Sequence, residues 1–572
     1  MRKFFVGILP ILILILFLIQ KSSFAQENIL GSTAASQEKG LREKENKEQF
    51  MAQVSEPELE FLPIPKAPEG LSKEKFFIKK INLEISEELD LKINSHSIVL
   101  PYENKELSLN DLITISDEIT KSLQKAGFIT SQAFVPPQKI KDDTVTIKVL
   151  EGNIGDIKVE GNKYTKTKAI KRFFKKYQKK ILQYYSLYHT MQALNENPDR
   201  LAKARLIAGN ALGTSDLELN LEEKFPIDIG LEVNNLGSRY TQRNRYVVTI
   251  KDNNLTGQDD IFTTRVYLAE DDAFLGIVTD YKCPLADLGT KWGISFSRTA
   301  SRLGREFDAL KIEGRSYSGS TYLEQLLLEG QNFLMNADLG FELREDTTKV
   351  LGARFIHDSL RILKMGLTTK QNDKLGRTQF RLGWDFGFPS FLGASGKTEI
   401  LSSRQDAGGQ FNKTNISLMR LTKLPFNSLL IFLSEAQFSS DKLVVSQQHR
   451  IGGTYTVRGY PEGEALGDYG FNTTIELRTP AFLIPKSLGW GNTNLRNMLQ
   501  FTYFADAGQV NTRKPAGGER RQTNLAGVGT GLRINFKNNC YGRFDVAWPI
   551  GRRTSEGKGR EPRMHWAFGV EF

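Results

Sequence analysis

From residue 226 to the C-terminus, large apolar residues recur at every second position, separated by glycine, asparagine, threonine and charge of both signs. A period of two is the signature of a strand, and it recurs here with few interruptions. In residues 524–536, Ala526, Val528, Thr530, Leu532, Ile534 and Phe536 share one face. Gly527, Gly529, Gly531, Arg533 and Asn535 share the other. The same split runs through residues 333–343, 380–388, 471–478, 544–550 and 566–572. A secreted sandwich would also alternate, hiding its apolar face. Three features favour a transmembrane antiparallel β-barrel. Strands of about 10 residues recur, which suits a tilted membrane strand. Short connections (253–254, 284–289, 537–539) alternate with long charged ones (512–523, 551–563). The chain ends on a strand carrying Trp566, Phe568 and a terminal Phe572. Alternation and turns predict about fourteen to eighteen strands, and bacterial single-chain barrels take even numbers.

The N-terminus sets the compartment. Arg2 and Lys3 precede an apolar run from Val6 to Ile19, and Ser23 and Ala25 are small residues at −3 and −1 of a cleavage site after Ala25. That pattern predicts a secretory signal over residues 1–25. No later apolar run is long enough for a spanning helix. The net charge of +11 would suggest nucleic acid in a cytosolic protein. Behind a signal peptide, anionic lipid or an acidic polypeptide is the better match.

Residues 26–54 are polar. Glu38/Arg42 and Glu43/Lys47 stand at i,i+4, predicting a solvated helix over residues 37–54 rather than a core helix. Pro57, Pro63, Pro65 and Pro68 then mark an extended linker, residues 55–75. Two α+β modules are expected at 76–152 and 153–225, ahead of the barrel at 226–572. The first has strand patterns at 76–83, 134–137 and 144–150 and a helix pattern at 109–126 that stops at Gly127. In the second, a basic helix carrying Lys168, Lys171, Arg172, Lys175 and Lys176 follows a strand at 154–159. A second helix around 188–194 and strands at 204–207 and 217–221 complete it. The basic helix is either a solvated face or a contact for lipid or client.

Two short motifs in the barrel region carry functional chemistry. Val457-Arg458-Gly459-Tyr460 lies in a long polar loop, and Phe504, Asp506 and Gly508 share a strand. Alternation puts Phe501, Tyr503 and Ala505 on the lipid face of that strand, so Asp506 faces the lumen. Gly459 permits a tight turn at Arg458. An arginine–carboxylate pair can be bidentate and so fixes orientation as well as distance. Two unrelated solvated lumen charges is the competing reading.

Taken together, these motifs resemble the outer-membrane transporters of two-partner secretion (TpsB), which export filamentous haemagglutinins and haemolysins. Residues 127–130 (Gly-Phe-Ile-Thr), 135–138 (Val-Pro-Pro-Gln) and Glu151-Gly152 resemble the signature of the first POTRA module of that family. Asn197-Pro198 and residues 213–217 (Gly-Thr-Ser-Asp-Leu) resemble that of the second. Val457–Tyr460 resembles the tip of the sixth extracellular loop, and Phe504/Asp506/Gly508 the thirteenth-strand motif. The resemblance implies a plug helix, a linker, two POTRA modules and a sixteen-stranded barrel in the outer membrane of a Gram-negative-type bacterium, with the modules in the periplasm. It implies that the sixth loop folds back into the barrel, latched by Arg458 on Asp506. It implies a secreted β-helical adhesin or haemolysin as client, the barrel-assembly machinery and the lipid bilayer as further partners, and a monomer. Trp566, Phe568 and Phe572 would be the assembly signal. An insertase of the barrel-assembly type and a passive porin or receptor are the alternatives; two modules are few for the first and superfluous for the second.

Nothing points to an enzyme, a cofactor, a metal or nucleic acid. Ser395-Gly396-Lys397-Thr398 mimics a phosphate loop, but Phe391 stands where the motif needs glycine. Gly527, Gly529 and Gly531 mimic a dinucleotide turn inside a strand. His96, His189, His357, His449 and His565 are scattered without metal-ligand spacing. Cys283 and Cys540 form no CxxC.

Overall fold

The computed structural model describes residues 33–51, 59–61, 74–175, 180–211, 213–285, 289–330, 332–397, 399–482, 484–485, 489–490, 493–516, 519–536, 540–556 and 559–572. The expected signal peptide, the four linker prolines and Lys176 lie outside the described residues.

Sixteen antiparallel strands close into one barrel, from β1 (Ile227–Asn234) to β16 (Arg563–Glu571). Closure pairs β1 with β16, and the Ile229 and Phe572 backbones exchange hydrogen bonds of 3.1 and 2.9 Å. No edge is left in this sheet, so its backbone polar groups are satisfied within the wall. The alternation translates directly into two surfaces. Ile229, Leu231 and Val233 of β1, Tyr503, Trp548 and Phe568 are exposed on the outside. Ser297, Ser316, Arg344, Glu476, Asp506 and Asp545 are buried within the lumen. An apolar exterior around a charged interior matches a chain whose surrounding solvent is lipid.

Helix α1 (Ala34–Met51) lies in the lumen. This corrects the solvated helix expected from the charge pattern alone, not the plug helix that the family resemblance implies. The charges that made it look solvated are matched by charges on the wall. Glu38 is fully buried and accepts from Ser297 at 2.5 Å and from Ser316 and Ser318 at 3.1 Å. It also pairs with Arg344 and, one turn on, with Arg42. Lys44 meets Glu232 at 2.6 Å, Glu45 meets Arg265 at 2.9 Å and Lys47 meets Glu435 at 3.0 Å.

Ahead of the barrel stand two small α/β modules. In the first, α2 (Leu109–Lys125) opens with a capping box. Ser108 Oγ accepts from the Asp111 N–H, and Asp111 accepts from the Ser108 N–H. Leu112, Ile115, Ile119 and Leu123 recur at helical spacing and bury against Val145, Ile147 and Val149 of the strand Thr144–Leu150. Burying each such side chain contributes about 1.5–3 kcal/mol. The helix stops where Gly127 takes φ +96°. The single strand expected over 76–83 is two strands, Lys75–Ile78 and Lys80–Glu84, in different sheets. Lys79 donates to Asp143 O at the break between them.

The second module packs α3 (Thr167–Phe174) and α4 (Tyr184–Leu194) on a sheet. Its strand order is Leu59–Phe61, Arg200–Ala208, Thr214–Glu223, Asn153–Glu160. Among the described residues the basic helix runs over Thr167–Phe174. Phe174 and Ile170 bury on one side while Lys168, Lys171 and Lys175 stay exposed.

Candidate functional site

Four consecutive wall strands build the site: β12 (Tyr469–Pro480), β13 (Leu499–Asn511), β14 (Gln522–Phe536) and β15 (Cys540–Ile550). Register brings their lumen-facing residues level. Glu476 lies opposite Phe504, Phe504 opposite Gly529, Asp506 opposite Gly527, and Gly531 opposite Asp545. Residues 440–468, between β11 (Ser428–Ser439) and β12, form a long loop that enters this floor. A short hairpin, His449–Ile451 with Ala465–Gly467, gives the loop its neck.

Arg458 sits at the loop's tip, 2 % exposed. Its Nε and Nη2 donate to the two oxygens of Asp506 at 2.8 and 3.0 Å, a bidentate fork. Its own backbone N–H donates to Asp506 Oδ2 at 3.0 Å. Nη1 reaches Glu476 at 2.6 Å and stands 3.8 Å from Asp545. The guanidinium lies over the Phe504 ring, 3.4 Å from its centroid, adding a cation–π contact. Neighbouring arginines share the same acids. Arg533 and Arg543 each meet Asp545 at 2.7 Å, and Arg478 meets Glu476 at 2.8 Å. Four guanidinium groups and three carboxylates therefore interlock.

The remaining motif residues shape the seat. Val457 is fully buried with Ile451, Tyr460, Ala465, Val510 and Leu525. Tyr460 Oη donates toward the carbonyls of Ile550 and Arg552 at 3.1 and 3.0 Å, tying the tip to the end of β15. Gly459 has φ +94°, and a Cβ there would lie 2.9 Å from Pro549 N. At Gly508 a Cβ would press on Val457. The glycines of β14 are the floor itself. A Cβ would stand 2.0 Å from the Arg458 carbonyl at Gly527, 2.4 Å from the Phe504 ring at Gly529 and 2.1 Å from an Asp545 oxygen at Gly531. Glu476, Asp545, Arg533 and Arg543 are site residues that motif reading missed. Each is one lumen charge among many in the sequence, and only register makes them neighbours.

The loop also touches α1. Lys39 and Lys47 donate to the carbonyls of Gln448 and Tyr455, both at 2.5 Å. The lumen thus holds two segments of the same chain, joined to each other and to the wall by polar contacts.

Two other groups of expected site residues lie elsewhere. Arg172 donates to Gln258 O at 3.0 Å and so grips the turn between β2 (Arg245–Asp252) and β3 (Ile261–Leu268). Nearby, Lys166 donates to Thr256 O, Asn197 to Asn253 O, and buried Arg200 pairs with Asp259, each at 2.8 Å. The second module is fastened to the barrel through this turn. Within it, Glu223 accepts the N–H groups of Lys163, Tyr164 and Thr165 at 2.7, 2.7 and 3.2 Å. Burial pushes the Glu223 carboxyl up, but bonds from Thr165 and these N–H groups outweigh it and hold the carboxyl below its usual value. Trp566 and Phe568 lie on the outer wall of β16, ring centroids 5.9 Å apart, and Phe572 is exposed at the seam.

A family model described as "Haemolysin secretion/activation protein ShlB/FhaC/HecB" matches residues 213–534, and one described as "POTRA domain, ShlB-type" matches residues 76–152. The heme/hemopexin transporter protein HuxB of Haemophilus influenzae (strain 86-028NP) is 25% identical over 465 residues, covering 79% of this chain and 80% of that protein. The outer membrane transporter CdiB of Escherichia coli O6:K15:H31 is 22% identical over 480 residues, covering 79% and 77%. Among solved structures, CdiB from Escherichia coli superposes with a TM-score of 0.74 at 18% identity, covering 94% of this chain and 98% of that one. The chain therefore sits in the outer membrane with its POTRA modules in the periplasm, and it belongs to the haemolysin secretion/activation protein family ShlB/FhaC/HecB, the transporters of two-partner secretion.

Proposed function

We propose that the two modules capture one unfolded secreted exoprotein in the periplasm and that the barrel, acting as a monomer, passes it outward. The observation that carries this reading is the content of the lumen. Helix α1 is held there by ion pairs and hydroxyl contacts. A segment held this way can leave a wet lumen without exposing an apolar core. A β-helical adhesin or haemolysin suits the route, because its folding outside supplies direction without nucleotide hydrolysis. Capture uses strand addition, in which main-chain bonds give affinity to any extended chain. In this reading Arg458 and Asp506 form a latch that positions the sixth loop. Exposed Lys168, Lys171 and Lys175 face anionic lipid headgroups, whereas Arg172 serves the junction. Trp566, Phe568 and Phe572 form the assembly signal read by the barrel-assembly machinery.

The test is to look for a large exoprotein encoded next to this gene and to follow the secretion of that candidate by the full chain and by a chain lacking residues 76–225. Export only by the full chain is expected. Equal export without the modules would reduce the protein to a passive pore.

A further inference from the structure

The lipid-facing row of β1 continues past the end of its strand. Ile227, Ile229, Leu231 and Val233 are exposed on the outer wall. Two residues before Ile227, Phe225 is 62 % exposed. The backbone is still laddered there, because the Pro226 carbonyl accepts from Asn253 N at 2.8 Å and prolongs the β1–β2 pairing by one step. Pro226 is buried between exposed Phe225 and Ile227, so the period of two is kept. From Phe225 to Val233 the row covers eight residue steps, roughly 26 Å along the strand and, at a tilt of about 40°, roughly 20 Å along the membrane normal. The whole row, Phe225 included, fits within the roughly 25 Å apolar band of an outer-membrane barrel.

The second module adds to this row. Tyr164, 42 % exposed, stands edge-on to Phe225, with ring centroids 6.0 Å apart and an interplanar angle of 78°. Glu223 fixes its backbone by accepting its N–H. Leu255 is exposed in the β2–β3 turn, between Asn254, which donates to Thr165 Oγ1 at 2.9 Å, and Thr256, whose carbonyl takes Lys166. The same turn leads to Asp260, which accepts from Thr256 N at 3.0 Å and from Tyr281 Oη at 2.9 Å. Tyr281, on β4 (Phe274–Pro284), alternates with buried Phe274 and Val278 and so faces outward. Its ring is edge-on to Trp292 of β5 (Thr290–Arg302), with centroids 6.2 Å apart. Such aromatic groups collect where acyl chains meet headgroups. The hydrogen bonds through Asp260 tie the turn, and with it Tyr164, to that level of the wall. Lys163 and Lys224 are exposed beside the aromatic pair and put cations where lipid phosphates stand.

We infer that Tyr164, Phe225 and Leu255 insert into the headgroup–acyl boundary of the periplasmic leaflet, so that phospholipid as well as the β2–β3 turn holds the second module in place. Continuity with the lipid-facing wall identifies the partner as lipid. The inference rests on the outer-membrane placement and not on the transport reading, and its test needs no client. Full-length protein in a Cys283→Ser/Cys540→Ser background receives one nitroxide label through Tyr164→Cys, Phe225→Cys or Leu255→Cys, in vesicles of phosphatidylethanolamine and phosphatidylglycerol. Leu231→Cys on the outer wall is the lipid reference and exposed Lys171→Cys the water reference. Each variant is first shown to be a heat-modifiable barrel. Collision with a water-soluble nickel chelate should be at least fivefold lower at 164, 225 and 255 than at 171, and collision with oxygen should approach that at 231. With both rings kept, a label at Lys163→Cys should lie at headgroup depth, and adding Tyr164→Ser/Phe225→Ser should raise its nickel collision rate at least twofold. Nickel collision at 164 and 225 equal to that at 171, or no change at 163 in the double serine variant, would overturn the inference. Shielding that appears only once an unfolded polypeptide is added would assign the face to a protein and overturn it equally.

Discussion

Replacing Arg458 by alanine tests the latch most directly. Arg458 is the cation that holds Asp506 among the described residues, through both carboxylate oxygens, while Glu476 and Asp545 keep Arg478, Arg533 and Arg543. The variant thus strands one buried carboxylate rather than dismantling the cluster. Removing one partner of a buried pair typically costs about 3–5 kcal/mol. At about 1.4 kcal/mol per tenfold, the seated loop should lose roughly a hundred- to several thousandfold in population relative to unseated states. The wall should be spared, because Arg458 is not part of any barrel strand. Export of the client exoprotein should fall steeply while the protein still migrates as a folded, heat-modifiable barrel. Arg458→Lys should be intermediate, since an ammonium cannot make the fork to Asp506. The charge swap Arg458→Asp/Asp506→Arg should not rescue, because the carboxylate introduced at the loop tip would face Glu476 and Asp545. Normal export by Arg458→Ala, or full rescue by the swap, would refute the reasoning.

Gly527→Val should phenocopy the loss of Arg458, because its side chain would occupy the position of the Arg458 carbonyl; wild-type export would contradict that placement. Deleting residues 34–51 should raise single-channel conductance, and Glu38→Ala should do so partially by leaving Arg344 without its α1 partner; unchanged conductance in the deletion would remove α1 from the plug role. Glu223 gives a pH dependence. Its folded pKa is depressed, so its contribution is present above the unfolded value of about 4.3 and lost as pH falls through the folded value. Hydrogen exchange at the amides of residues 163–165 should therefore accelerate, relative to neighbouring amides, as the medium is acidified below that range. In Glu223→Gln that acid-dependent component should vanish.

Barrel class was legible because lipid and lumen impose opposite demands on alternate residues. Ala526 to Phe536 and Gly527 to Asn535 separate without any tertiary information. Strand number was legible only as a range, because turns such as those at 351–352 and 374–375 look like bends within a long strand. The charge pattern of helix α1 by itself suggests a solvated helix, where the family resemblance implies a plug, for a physical reason. A charged helix in water and one in a charged lumen have the same composition, and the difference lies in Glu232, Arg265 and Arg344, far away in sequence. Register was equally out of reach. Arg458 and Asp506 attract notice through their neighbours Gly459 and Gly508, but Glu476 and Asp545 do not. They join the site because β12 to β15 hold them level.

That register also explains why the cluster has seven charged groups instead of two. A lone buried Arg–Asp pair gains little net stability, since desolvation offsets most of its attraction. Its value lies in geometry: the fork accepts one orientation of the loop tip and rejects others. Sharing Glu476 and Asp545 among four arginines keeps those acids paired when Arg458 leaves. Only Asp506 is then exposed, in a lumen that admits water once the loop lifts. Unseating the loop therefore costs far less during transport than deleting the arginine costs at rest, because the moving guanidinium is rehydrated while the wall stays neutralised. A latch of this construction holds position strongly and still opens, and the apolar surface uncovered when it opens is confined to the seat of Val457 and Tyr460 and the Phe504 ring.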